Sequence, residues 1–189
     1  RYDDSTGISV PDNPIIGVCF PSDQGTEKIK KFMNFLANKD KLLWGVGWSV
    51  NDDVQKQFPI NGYIYHKGEI IAVAQIINIS SHDQTTQSDL ELRPERQDYP
   101  ADYKFNLHIN KLELCEPFSH KKLKLVDTTK PMPDRIQQRV YVRDDEAKVF
   151  VKFISDLEDN DYENEAELTP IQKFERWLIV RTRLKFENY

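Results

Sequence analysis

Glycine is scarce, with seven in 189 residues, and no group of them forms a P-loop, a G-x-G-x-x-G turn or a G-x-S-x-G elbow. The chain therefore lacks the usual backbone cradles for phosphate and the usual nucleophile turn. Cysteine is scarcer still. Cys19 and Cys115 lie far apart, each in an apolar, strand-like run. Such a pair reads as two buried thiols in a reducing compartment rather than a disulfide, which places the protein in the cytoplasm. There is no C-x-x-C, no H-E-x-x-H and no EF-hand loop, and His66, His82, His108 and His120 have no i+4 partner. No metal and no cofactor is expected. No apolar run approaches the ~20 residues of a membrane-spanning helix. Positive charge is not in excess either. Lys plus Arg number 26 against 31 Asp plus Glu, a net charge of −5, which excludes a uniformly basic nucleic-acid-binding domain. The acid is unevenly spread, however. Residues 155–167 (SDLEDNDYENEAE) carry seven carboxylates and no base, which leaves the rest of the chain net positive.

What is present suits one domain with an appendage. The ten Phe, eight Tyr and three Trp argue against disorder. The first residues, Arg-Tyr-Asp-Asp, resemble neither an initiator Met nor a signal peptide, so the chain reads as a fragment or a processed chain. Residues 1–13 are a loose lead-in. Ile15–Phe20 is a strand, Pro21–Gly25 a turn, and Thr26 a helix cap. Ile29, Phe32, Met33 and Leu36 then share one helical face. Leu42–Val50 is a strand and Asp52–Gln57 one helical turn. Gly62–Tyr65, His66-Lys67-Gly68 and Glu69–Ile79 form a hairpin. Residues 80–102 form a long polar loop. Tyr103–Cys115 alternates as a half-buried strand. Leu123–Val126 and Arg139–Val142 are short strands. A helix opens at Asp144 and presents Ala147, Phe150, Ile154 and Leu157 on one face. The domain is taken as 14–155, the acidic connector as 156–168, and 169–189 as a helix or strand appendage starting at Thr169-Pro170.

Catalytic chemistry finds no foothold. The carboxylates of 156–167 read as a solvated face, whereas general acid–base work needs buried, perturbed groups. Pro133-Asp134 hints at a metal nuclease, but no E-x-K follows. No catalytic residue is assigned, and the chain is not read as an enzyme. The positive feature is a set of aromatic and hydrogen-bonding residues at strand ends: Trp44, Trp48, Ser49, Asn51, Tyr63, Tyr65 and His66. A flat base stacks on such rings while a few polar groups read its edge. Trp44 and Tyr63 read more simply as core packing. Trp48, between Gly47 and Ser49, is expected to wall an open pocket rather than sit in a closed core.

Three stretches resemble the YTH and EVE domains of the PUA-like group. Cys19–Lys31 (CFPSDQGTEKIKK) is similar to the first strand, Ser-bearing turn and first helix of a YTH module, and it adds Ser22 and Asp23 to the pocket. Trp44–Asn51 (WGVGWSVN) is similar to the strand presenting a cage tryptophan. Asn61–Ile76 (NGYIYHKGEIIAVAQI) is similar to the EVE pattern around Tyr-His. Pro21-Ser22 stands in place of Lys-Ser. Ile70-Ile71 stands where YTH modules have an aromatic, so a second cage wall would come from the long loop with Tyr99. The resemblance implies an α+β fold, a PUA-like small twisted β-barrel of about six strands with two or three packed helices. It further implies a non-enzymatic module that recognises a modified, methylated base, by base flipping in DNA ahead of RNA. A fused or associated motor or nuclease of the McrBC type would be its neighbour. An RNA-binding PUA- or ASCH-like protein and a protein-interaction domain without a pocket are the alternatives. Phosphate contacts are assigned to Lys28, Lys30, Lys31, Lys67, Arg93, Arg96, Lys121 and Lys122. The acidic connector, repelled by phosphate, is expected to lie away from that face.

Overall fold

Strand and helix follow one another in the order the hydrophobic pattern dictates, in a computed structural model that describes residues 14–95 and 103–155 together with Pro170, Ile171 and Phe174. The chain divides into two units, Arg1–Lys152 and Phe153–Tyr189. In the second, Pro170, Ile171 and Phe174 are helical. The acidic connector and most of 169–189 lie outside the described residues.

The elements are β1 (Ile16–Pro21), α1 (Thr26–Leu36), β2 (Leu42–Val46), α2 (Asp52–Gln55), β3 (Ile60–His66), β4 (Glu69–Ser81), α3 (Gln87–Leu90), β5 (Phe105–Ser119), β6 (Val140–Arg143) and α4 (Asp144–Ala147). Six strands form one mixed sheet in the order β2-β5-β4-β3-β1-β6. Only β1 and β3 run parallel, with Val18 opposite Gly62 and Pro21 opposite Tyr65. Among the described residues of the first unit the fold is thus α+β with four short helices. The expected barrel is not closed: β2 and β6 end the sheet as separate edges.

Alternation along the strands sorts the side chains onto two faces. Val18 and Phe20 of β1, Leu42, Trp44 and Val46 of β2, and Ile60 and Ile64 of β3 join Ile29 and Phe32 of α1 in one buried cluster. Cys19, Tyr63 and Tyr65 alternate with these positions and are buried outside that cluster. There the Tyr63 hydroxyl donates to Asp144 Oδ1 at 2.5 Å and Asn61 Nδ2 donates to the same oxygen at 2.9 Å, which ties the start of α4 to β3. Both cysteines are free and buried; burial pushes the Cys115 thiol up to about 11 and raises that of Cys19 further.

Several local readings are corrected. Thr26 is the first helical residue, and Gly25 caps α1 without a side-chain bond. The strand from Leu42 stops at Val46, before the second glycine. Helix α4 is one turn long and passes into a 3-10 turn over Lys148–Phe150; the valine and phenylalanine there lose side-chain freedom in a helix. Residues 80–95 are not a featureless loop. β4 runs on to Ser81, a 3-10 turn follows, and α3 is opened by a capping box in which Thr86 and Asp89 bond reciprocally. Leu123–Val126 contributes a single bridge, Leu125 to Val142. The hairpin between β3 and β4 turns on Lys67 and Gly68, at φ 48° and 87°. Two successive positive φ values match the right-handed twist of the flanking strands, and Gly68 meets that demand without strain.

His108, almost fully buried on β5, joins three elements. The Lys41 Nζ lies 3.1 Å from its Nδ1 and the Ser80 Oγ lies 2.8 Å from its Nε2. An ammonium only donates, so Nδ1 accepts and the neutral ring donates from Nε2 to Ser80. Burial first, and the Lys41 charge second, hold its pKa below the ordinary 6.5, with Asp89 opposing. The unfolded chain therefore takes up this proton more readily than the folded one. The stability contributed by the neutral ring is complete above 6.5 and is lost progressively as pH falls below that value. The urea midpoint of the protein is expected to drop between about pH 7 and pH 5, and His108→Gln should flatten that drop. An unchanged pH profile in the variant would mean that the His108 charge state is not coupled to folding.

Candidate functional site

The parallel pairing of β1 with β3 fixes where β1 ends. The Ser22 N–H donates to the Tyr65 carbonyl at 2.8 Å, and the Ser22 hydroxyl donates to the Gln24 carbonyl at 2.6 Å. The chain then turns into α1. On the same side of the sheet β2 ends at Val46 and continues through Gly47 and Trp48. Between these two strand ends lies a cavity of about 360 Å³, within the range of about 300–1,000 Å³ common for small-molecule sites. Pro21, Ser22, Asp23 and Lys28 form one wall, and Trp44 to Trp48 form another. Tyr103, Gln137 and Gln138 complete it.

Phe20 braces both tryptophans. Its ring centroid is 5.5 Å from Trp44, edge to face, and 5.6 Å from Trp48. Phe32 meets Trp44 edge to face at 5.0 Å. Each tryptophan also carries a protein cation. Lys28 Nζ lies over Trp44 at 5.1 Å, and the Arg139 guanidinium carbon lies over Trp48 at 5.8 Å. Lys28, expected as a phosphate contact, is only 4% exposed. Its ammonium is held by Asp23 at 2.8 Å and Glu95 at 3.5 Å and also lies over Phe32. That hydrogen bond from Lys28 keeps the Asp23 carboxyl below its ordinary value, against the partial desolvation that opposes it. Asp23 is consequently an ionised acceptor in the cavity wall at neutral pH. Ring surfaces, a carboxylate and two side-chain amides together suit a flat ligand that is partly polar at its edge and offers at least one N–H.

The cavity brings together Ser22, Asp23, Trp44 and Trp48 of the expected pocket, and Lys28 from the expected phosphate contacts. Trp48 departs from its expectation. It is 9% exposed and belongs to the buried cluster, because Phe20 and Arg139 cover it; it is a core residue that also reaches the cavity. Ser49 does not line the cavity. Asn51 lines a separate apolar cavity of about 410 Å³ beside Ile16, Val54 and Tyr141, and its N–H donates to the Tyr141 hydroxyl at 2.9 Å. Tyr63 and Tyr65 do not line the site either, because strand alternation sends them to the other face of β3. Tyr65 there packs edge-on to His120 at 5.0 Å. His66 stands behind the wall, its Nδ1 3.1 Å from the Ser22 carbonyl.

The expected phosphate contacts scatter. Arg93 is buried and donates to Asn106 Oδ1 at 2.7 Å. Lys30 pairs with Glu27 at 4.0 Å, Lys121 with Asp134 at 2.5 Å, and Lys122 lies over Phe150. Lys31 and Lys67 are exposed. Arg96 and Tyr99 lie outside the described residues. Sequence reasoning missed Tyr103, Gln137, Gln138 and Arg139. The signal available for Tyr103 was a glycine in β2 facing an aromatic just before β5. Among the described residues no cluster of three His, Cys, Asp or Glu side chains could hold a metal. Comparison with protein-family models, curated proteins and solved structures gives no match for this chain.

Gly45 is the hinge of the aromatic wall. A Cβ placed there would stand 2.6 Å from Tyr103 Cδ2 and 3.0 Å from Cγ, and the ring base cannot swing aside as a flexible side-chain end would. Gly45→Ala is expected to displace Tyr103 and to destabilise the protein by about 1–3 kcal/mol, the usual cost of overpacking. In a Tyr103→Ala background the same substitution should cost much less. Equal costs in both backgrounds, measured by urea unfolding, would mean that Tyr103 does not press on Gly45.

Proposed function

We propose that this chain is a non-enzymatic nucleic-acid reader whose cavity between Pro21–Lys28 and Trp44–Trp48 takes a methylated base flipped out of DNA. The observation that carries the reading is the convergence of Trp44, Trp48 and Tyr103 with the ionised Asp23 on one cavity. A flipped base needs this pairing of ring contacts with a group that reads its Watson–Crick edge. A singly methylated exocyclic amine keeps one N–H, which the Asp23 carboxylate can accept. The likeness of residues 19–31, 44–51 and 61–76 to YTH and EVE patterns points the same way and supports a PUA-like assignment. So do the two buried, reduced thiols for a cytoplasmic setting. In this reading a motor or nuclease, fused or associated, acts on what the module finds.

The burial of Trp48 favours a second reading, in which the tryptophans serve packing alone and the domain binds protein. One experiment separates the two. Short duplexes carrying N6-methyladenine, 5-methylcytosine or no modification, and the same bases in single-stranded RNA, are titrated by fluorescence anisotropy. A preference for one methylated duplex is expected. Tyr103→Ala should weaken it about 5- to 150-fold, the equivalent of the ~1–3 kcal/mol of a base–aromatic stack. Trp48→Ala is the poorer probe, since removing a buried Trp costs about 3–5 kcal/mol of stability. Trp48→Phe keeps a ring against Phe20 and should lower discrimination in a folded protein. Binding to none of these ligands would leave the packing reading standing and remove the base-reader one.

A further inference from the structure

We infer that Arg139 is an anion clamp at the rim of this cavity, placed to grip a backbone phosphate of the bound nucleic acid. The inference rests on the base-reader reading and adds to it the group that orients the strand. Arg139 follows Gln137 and Gln138, which line the cavity, and precedes Val140, which pairs with Cys19 of β1. Its guanidinium lies between two rings, 5.8 Å from the centroid of Trp48 and 5.2 Å from that of Tyr141. Tyr141 is itself fixed, since its hydroxyl accepts the Asn51 N–H. Contact with two rings restrains the guanidinium before a ligand arrives, so less side-chain freedom remains to be lost on binding.

The donors of this group are not spent inside the protein. Arg139 makes no ion pair with a carboxylate among the described residues; its Nε is buried without a partner, which leaves the two terminal nitrogens as the donors a ligand can reach. The other expected cations are poorer candidates at this rim. Lys28 is committed to Asp23 and Glu95, and Arg93 is buried against Asn106. A planar fork with free donors matches the paired oxygens of a phosphate, and a stack on Trp48 holds it beside the cavity. A phosphate grip is indifferent to the base, whereas the cavity wall is not. The two roles therefore leave different signatures.

The test uses the duplexes above at a series of salt concentrations, with Arg139→Met and Arg139→Lys. Methionine keeps an apolar stem between the rings and removes the charge; lysine keeps the charge and removes the fork. Arg139→Met should lower the slope of log affinity against log salt by about 0.9, the value for one lost phosphate contact on B-DNA. It should weaken methylated and unmodified duplexes by the same factor. Arg139→Lys should restore most of the slope. A slope unchanged in Arg139→Met would overturn the clamp and leave the base reader standing. So would a loss confined to the methylated duplex, which would make Arg139 a support for Trp48. If the unaltered protein bound no duplex, the base reader would fall and the clamp with it.

Discussion

The edge of Phe20 decides where everything else in the site can stand. It is the last apolar side chain of β1, fully buried, and it touches Trp44 and Trp48 at once. Aromatic pairs at such distances and tilts add about 0.5–1.5 kcal/mol each beyond the area they bury. Phe20 can reach both rings only because Gly62, two residues along β3 from its partner Ile64, leaves room. A Cβ on Gly62 would lie 2.9 Å from Phe20 Cε1 and 3.0 Å from Ile76 Cδ1. A glycine in mid-strand, costly for the strand itself, is thus explained by close packing across it. From that anchor follow the separation of the β1 and β2 ends and the width of the cavity between them.

The same anchor explains a buried lysine. Placing Trp44 against Phe20 and Phe32 builds a ring face over the first turn of α1, and Lys28 lays its ammonium on that face. A buried charge is tolerated only when paired and hydrogen-bonded. Asp23 from the preceding turn and Glu95 from beyond α3 supply the partners. The turn before α1 and the residues beyond α3 are thereby held to the helix by one cation at the cavity wall. Asp23 is held there as a carboxylate by its hydrogen bond from Lys28.

Much of this framework was legible in the chain. The i, i+3, i+4, i+7 spacing of Ile29, Phe32, Met33 and Leu36 gave α1, and Lys67-Gly68 between two apolar runs gave the β3–β4 hairpin. Trp48 was legible as a site residue from its place just past a strand, between Gly47 and Ser49, whereas Ser22 and Asp23 came from the likeness of residues 19–31 to a YTH turn. What escaped depends on pairings between remote segments. Tyr103 reaches the cavity because Val46 pairs with Phe105, which lays the residues before β5 along Gly45. Gln137 and Gln138 reach it, and Arg139 reaches the Trp48 ring, because β6 pairs antiparallel with β1. Neither register is written in local periodicity. Tyr63 is buried, as its packing reading expects, and Tyr65 shows the converse of Tyr103. Tyr65 is close in sequence to the hairpin turn and looks like a site residue, yet a period of two sends it to the far face. Thr86 and Asp89, three residues apart, did carry a capping-box signal, and it marks α3 inside what otherwise reads as loop.

The charges around the two tryptophans narrow what the cavity can receive. An aromatic pair with bare faces attracts cations, and such cages serve methylated ammonium groups. Here one face of each tryptophan already carries a cation of the protein, Lys28 on Trp44 and Arg139 on Trp48. A third cation in the cavity would meet two fixed ones, while the carboxylates of Asp23 and Glu95 are engaged by Lys28. A neutral heterocycle meets no such repulsion. Its ring atoms can approach the side-chain amides of Gln137 and Gln138, and an N–H on its edge can share the Asp23 carboxylate. The same reasoning disfavours a methylated ring nitrogen that leaves the base cationic and favours methylation of an exocyclic group that leaves it neutral. In the reader proposed for this chain, base charge is therefore selected by the cations stacked on the tryptophans, before any contact with the methyl group itself.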